Sequence, residues 1–229
     1  VGQLGDNTTE SSLLPVTVTG ISNAIAVSTG DRHNCALLED KSIRCWGRNL
    51  DGELGDGTNE NPRKIPVTVY GISNAVAVDT GNRHSCALLD NQSVACWGRN
   101  DNGQLGDGTT TDSYSPSTVV LGGSSVAVSS GYGHTCSLLS DKTLKCWGDN
   151  SYGQLGDGST TGKRSFVQVI SSGARAVAAR SFHSMVLKQD GSVWSAGRNS
   201  HGQLGDGSNN SRKKFVEVFT SGVSAVAAG

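Results

Sequence analysis

Apolar residues along this chain fall in short runs bounded by glycine, asparagine and aspartate, and the runs read as strands. Lys64-Ile65-Pro66-Val67-Thr68-Val69 is rich in β-branched residues, and Pro66, which cannot donate to a ladder, places that strand on a sheet edge. After a turn at 71–74, Ala75-Val76-Ala77-Val78 reads as a strand of small residues that Gly81 ends. His84-Ser85-Cys86-Ala87-Leu88-Leu89 and Ser93-Val94-Ala95-Cys96-Trp97-Gly98 then form a hairpin. Its strands are apolar on both faces, with Cys86 and Leu88 pointing one way and Ala87 and Leu89 the other. A strand buried on both sides must lie between two other layers.

The unit repeats. A glycine loop, Gly52-Glu53-Leu54-Gly55-Asp56-Gly57 in one copy, begins at residues 2, 52, 103, 153 and 202, so that starts lie 49 to 51 residues apart. Such a period marks a repeat architecture. Four-stranded sheets packed face to face around an axis meet the demand for two-sided burial, with the small-residue strand innermost and the proline strand outermost. The fold class is therefore all-β, a β-propeller of four-stranded blades with about 4.5 repeats of roughly 50 residues; a right-handed β-solenoid is the alternative. Residues 1–229 form one repeat domain, with units at about 1–51, 52–102, 103–152, 153–201 and a partial 202–229.

The parts do not tally evenly: five glycine loops, five outer strands (the first Pro15-Val16-Thr17-Val18) and five inner strands accompany four hairpins, at 33–47, 84–98, 134–148 and 183–197. This predicts that the 229 residues are a window on a longer ring, or that open blade edges pair with another chain or copy, since unpaired edges invite association. In the fourth hairpin Trp194 stands two places before the position held by Trp46, Trp97 and Trp147, and Ala196 takes that position. A two-residue shift keeps the indole on the same strand face.

Cysteine placement sharpens the picture. Cys35 and Cys45, Cys86 and Cys96, and Cys136 and Cys146 are each ten apart, and Met185 with Ser195 replaces both members together in the fourth repeat. Hairpins folded about Asp40, Asn91 and Asp141 set each pair directly opposite on neighbouring strands, close enough for three disulfides. Bridged cysteines point to an oxidising location, extracellular or at a cell surface. Reduced buried thiols are the bland alternative. Sequons at Asn7, Asn91 and Asn209 would accept glycans in a eukaryotic secretory route.

Composition excludes more than it selects. A formal net charge of −1 gives no general attraction to nucleic acid or anionic membrane, and no apolar run reaches the roughly 18 residues of a membrane span. His33, His84, His134 and His183 occupy one position per repeat, which favours a local hydrogen bond to a turn over a shared metal. Asp56, Asp107, Asp157 and Asp206 each supply one carboxylate per loop, too few for calcium and suited to closing a turn. Arg63-Lys64, Lys163-Arg164 and Arg212-Lys213-Lys214 precede outer strands, where charges blunt exposed edges. No nucleophile elbow, phosphate loop or catalytic carboxylate pair stands out, and no cofactor is expected.

Gly-x-x-His-x-Cys-x-Leu-Leu, then Cys-Trp-Gly-x-Asn, then Gly-Gln-Leu-Gly-Asp-Gly resembles the repeat of the regulator of chromosome condensation family across the whole chain. The resemblance implies a propeller, usually seven-bladed, and the cysteine-bearing version is similar to the family's secreted prokaryotic branch. Members that promote nucleotide exchange insert a wedge between repeats, which the even spacing here leaves no room for. Members that sense ultraviolet light carry a tryptophan beside the repeat histidine, where Asp31-Arg32, Asn82-Arg83 and Tyr132-Gly133 stand here. Secreted members bind protein targets through loops at one end of the propeller. The matching residues here are Asp31, Arg32, Arg48, Asn82, Arg83, Arg99, Tyr132, Phe182 and Arg198, which vary between repeats as a recognition surface does.

The expectation is a non-enzymatic, secreted or surface-displayed binding scaffold that engages a protein partner, or another copy of itself, through propeller loops. A carbohydrate-binding module is the alternative, hinted at by Tyr132, Tyr152 and Phe182, which stand at unlike positions of their repeats. A regulator of nucleotide exchange ranks third.

Overall fold

The computed structural model describes all 229 residues, in sixteen strands. Blade 1 holds β1 (Ala24–Thr29), β2 (His33–Leu38), β3 (Ile43–Gly47) and β4 (Arg63–Thr68); blade 2 holds β5 (Ala75–Thr80), β6 (His84–Leu89), β7 (Val94–Gly98) and β8 (Ser113–Val119). Blade 3 holds β9 (Ser125–Ser130), β10 (His134–Leu139), β11 (Leu144–Gly148) and β12 (Lys163–Ile170), and blade 4 holds β13 (Ala174–Arg180), β14 (His183–Lys188), β15 (Val193–Gly197) and β16 (Arg212–Phe219). Each blade is a separate antiparallel sheet in sequence order, which excludes the solenoid. The inner strands β1, β5, β9 and β13 lie side by side in that order. Pro66 and Pro116 sit in outermost strands, where a missing N–H costs no ladder bond.

The blades are offset from the sequence units. The proline-type strand that opens each sequence unit closes the blade before it, so the cut at residue 52 or 103 falls inside a sheet. The strand expected at 15–18 forms none, because each observed outer strand pairs with a third strand that precedes it and these residues have no such strand before them. The fifth inner strand likewise pairs with nothing.

The core lies between blades. Cys35, Leu37, Ile43 and Cys45 of blade 1 meet Ala87, Ala95 and Trp97 of blade 2, and Cys86, Val94 and Cys96 of blade 2 meet Leu139 and Trp147 of blade 3. This is the two-sided burial that the hairpins' apolar faces require. The cysteines face each other in register in all three hairpins and are bridged, with Cα atoms 4.1 Å apart. Met185 pairs with Ser195 in the fourth hairpin. Asp40, Asn91, Asp141 and Asp190 each accept a backbone N–H two residues on, which closes the hairpin turn.

Candidate functional site: one end of the propeller

The connections after the first and third strands of every blade emerge at the same end, and backbone bonds tie them together. Arg48 donates to the Arg32 carbonyl and Arg99 to that of Arg83, each at 2.9 Å, and Arg198 donates to that of Phe182 at 2.8 Å. Neighbouring blades join too, since Tyr132 N–H donates to the Ser181 carbonyl at 2.8 Å and Asn82 N–H to that of Gly131 at 3.3 Å. All nine residues expected to bind a partner therefore share one end. Asp31, Asn82, Tyr132 and Phe182, one from each blade, line a cavity of about 320 Å³ at its centre with Thr80, Ser130 and Arg180. Arg180 crosses from β13 to donate to the Thr29 carbonyl of β1 at 3.2 Å, so the cavity is bounded by first and last blades alike.

The aromatic residues meet although their positions in the repeat differ. Tyr132 stacks on Phe182 with ring centroids 4.6 Å apart, and Tyr152 meets Phe182 edge-on at 5.4 Å. The Arg198 guanidinium lies 5.4 Å from the Tyr152 ring and 5.9 Å from that of Phe182, within cation–π range. Tyr132 remains 41 % exposed.

Not every expected contact residue is free. Arg48 is buried, and its Nη1 donates to Glu53 and, at 2.8 Å, to Asp51. The cause is Glu53, which stands where the other loops carry Gln104, Gln154 and Gln203. A buried carboxylate needs a cation, and Arg48 supplies it; burial still raises the Glu53 pKa. Arg99, whose neighbour is the neutral Gln104, instead pairs with Asp101 at 2.5 Å. Arg32 pairs with Asp31 at 3.3 Å and Arg83 approaches Asp51 at 3.7 Å.

The glycine loop supports this end by docking on the following blade. The Glu53 carbonyl accepts the Trp97 indole N–H and the Ser85 hydroxyl, both at 2.9 Å. The Gln104 carbonyl does the same for Trp147 at 2.8 Å and Thr135 at 2.9 Å. Having donated, each hydroxyl accepts from the preceding blade's histidine: His33 Nε2 to Ser85 and His84 Nε2 to Thr135 at 2.9 Å, and His134 Nε2 to Ser184 at 2.8 Å. His33, His84 and His134 thus bind the neighbouring blade rather than their own turn, and all three are neutral, since burial lowers their pKa to about 3.

The fourth blade solves the packing differently. Trp194 stays on the expected face but does not fill the indole seat; it donates to Ser192 Oγ at 3.0 Å beneath the Lys188 ammonium. Phe215, from the outer strand β16, presses on Gly156 as Trp97 presses on Gly55.

The recurring aspartates close turns. Asp56 Oδ1 accepts Thr58 N–H at 3.0 Å, and the pattern repeats at Asp107, Asp157 and Asp206. Arg63, Lys163 and Arg212, expected to guard edges, pair with those carboxylates at 2.9, 3.3 and 2.6 Å. Sequence reasoning missed the fully buried Asn49, Asn100, Asn150 and Asn199, whose side chains accept the loop Leu N–H and donate to the loop Asp. Their invariance within the Cys-Trp-Gly-x-Asn repeat was the available signal. It also missed Asp79, which accepts Ser130 N–H at 2.6 Å and Ser28 Oγ at 3.3 Å and so joins three inner strands; burial raises its pKa. That position has no counterpart to compare, since the other repeats carry Ser28, Ser129 and Ala178.

Separate four-stranded blades, interlocked by a glycine loop and an indole, define a β-propeller of the regulator of chromosome condensation type. The chain belongs to the RCC1-like domain family, which it matches over residues 1–229. It is similar to the ultraviolet-B receptor UVR8 of Arabidopsis thaliana, 35% identical over 121 residues that cover 52% of this chain and 28% of that protein. It is similar also to the human E3 ubiquitin-protein ligase HERC2, 29% identical over 123 residues, 52% of this chain and 2% of the ligase. Among solved structures, yeast RCC1 (Prp20), bound to Kap60, superposes with a TM-score of 0.78 at 19% identity, covering 90% of this chain and 50% of that one. Human WBSCR16 superposes at 0.76 with 24% identity, covering 85% and 51%. The chain spans about half the length of these solved relatives. No helix is long and apolar enough to cross a membrane, and the three bridges fit an oxidising compartment.

Proposed function

We propose that this protein is a non-enzymatic binding scaffold, secreted or displayed on a cell surface, that engages a protein partner with the end of the propeller bearing Tyr132 and Phe182. The observation that carries this reading is the convergence, around one cavity, of residues that differ from blade to blade, while the loops beneath them repeat. Rigid aromatic groups beside arginine are the composition of interface anchors. The interlocked blades hold them in place, which limits the entropy lost on binding. Three disulfides support export. Yeast RCC1, similar in fold, is bound to Kap60, a protein partner.

The test is affinity capture from the extracellular and envelope fractions of the source organism, with the native chain and a Tyr132→Asp/Phe182→Asp variant side by side. A protein retained by the native chain and lost by the variant supports the reading. Equal retention by both, or binding to a glycan array alone, contradicts it.

A further inference from the structure

Charge around the cavity is uneven. Of the arginines at this end, Arg32, Arg48, Arg83 and Arg99 each have a carboxylate partner. Arg180 and Arg198 have none: the first donates to the Thr29 carbonyl and the second to Ser200 Oγ at 3.0 Å. The nearby carboxylates are already committed. Asp31 holds Arg32, Asp149 accepts Ser151 at 2.9 Å and Gln154 at 2.9 Å, and Asp79 accepts Ser130 N–H. Arg180 lines the cavity with Phe182 and reaches across it to β1, while the Arg198 guanidinium stands outside that lining, 5.9 Å from the Phe182 ring.

We infer that this end of the propeller is an anchor site for an acidic protein loop, one that sets an Asp or Glu side chain against each of Arg180, in the cavity, and Arg198, beside it, and rests an adjoining apolar or aromatic residue on the Tyr132–Phe182 stack. A guanidinium offers planar, forked donors that match a carboxylate, and these two lack one. The rings of Tyr152 and Phe182 beside Arg198 exclude water from one side of its pair, which strengthens it relative to an open surface pair. The cavity admits a side chain or two and not a folded element, so the ligand feature is a protruding loop. This inference rests on the reading of the protein as a protein-binding scaffold and adds the partner's chemistry to it.

The experiment is selection of a displayed library of disulfide-constrained random loops on the folded native chain, followed by binding of the selected loops to Arg180→Gln, Arg198→Gln and Phe182→Ala chains. Thermal melting of each variant confirms that it folds; Arg180, which is exposed, and Arg198, which is half-buried, lie outside the hydrophobic core clusters, so their variants keep the test readable if Phe182→Ala does not. The expected result is enrichment of Asp or Glu next to an aromatic residue, with affinity falling about tenfold or more on each Arg→Gln chain, as for loss of a charged hydrogen bond, and weakening with salt. No enrichment, enrichment without acidic residues, or undiminished binding to both Arg→Gln chains would overturn the inference. Neutral or basic loops that bind the native chain and fail on Phe182→Ala would remove the acidic anchor yet leave the protein-binding face standing, whereas failure of the capture experiment removes both.

Discussion

The indole N–H of Trp97 reaches the carbonyl oxygen of Glu53 at 2.9 Å although 44 residues separate them, and it does so from the next blade. The Ser85 hydroxyl shares that oxygen, so one carbonyl of the glycine loop holds both the indole and the histidine relay. Trp97 and Trp147 are fully buried against Gly55 and Gly106. Truncating either to Ala should cost about 3–5 kcal/mol, as for other large core aromatics. Trp147→Phe should cost far less, because blade 4 already seats a phenylalanine there. Urea unfolding of the two variants checks the order.

The glycines of the Gly-x-x-His motif are required for space. A Cβ on Gly81 would meet the His84 ring and, at 2.5 Å, the carbonyl oxygen of Gly131. Gly57 has open space around its Cβ position and needs glycine only for its φ of +82°. Gly57→Ala should therefore cost about 1 kcal/mol, and Gly81→Ala should reach or exceed the upper end of the roughly 1–3 kcal/mol typical of overpacking. Equal costs would contradict the close-approach account.

Stability should fall with acid well before the carboxylates titrate. Burial lowers the pKa of His33, His84 and His134 from 6.5 to about 3, so between those values the unfolded chain binds protons that the folded chain refuses. Unfolding takes up protons in that window, and the stability present above pH 6.5 drains away as pH drops toward 3, at up to about 1.4 kcal/mol per pH unit for each histidine. Chemical unfolding at a series of pH values from neutral to pH about 4.5 would show it, and His84→Gln should flatten the slope by about a quarter to a third, since burial lowers the His183 pKa as well.

Glu53 and Arg48 should behave as a coupled pair. Arg48→Ala strands a buried carboxylate and should cost about 3–5 kcal/mol. Glu53→Gln restores the residue type of the other loops and should cost little, and the double variant should recover most of the loss. Additive costs in this cycle would show that Arg48 is not held by Glu53.

Period, hairpins, cysteine pairing and the edge position of Pro66 were all legible in the sequence, because the first follows from recurrence of one motif along the chain and the others from residues about ten positions apart or fewer. The blade boundary was not. A repeat can be cut anywhere along its period, and only the ladders show that Lys64 and Ile65 close the sheet begun at Ala24. Phe215 filling the tryptophan seat was hidden for a related reason, since the replacement comes from a different strand. The candidate face was legible as a set of variable positions, yet its division into free and committed arginines was not. Arg48 and Arg198 occupy matching places after Gly47 and Gly197, but the first is held by the carboxylates of Asp51 and Glu53, where the fourth repeat carries His201 and Gln203.

Site-directed photo-cross-linking tests the binding face most directly. A benzophenone side chain placed at Tyr132, on the cavity rim, is compared with one at Tyr70, which is 71 % exposed and does not line the cavity. Exposed to the extracellular fraction of the source organism, the Tyr132 probe should form a discrete protein adduct that the Tyr70 probe does not. Adducts from Tyr70 alone, or the same adducts from both positions, would contradict the account.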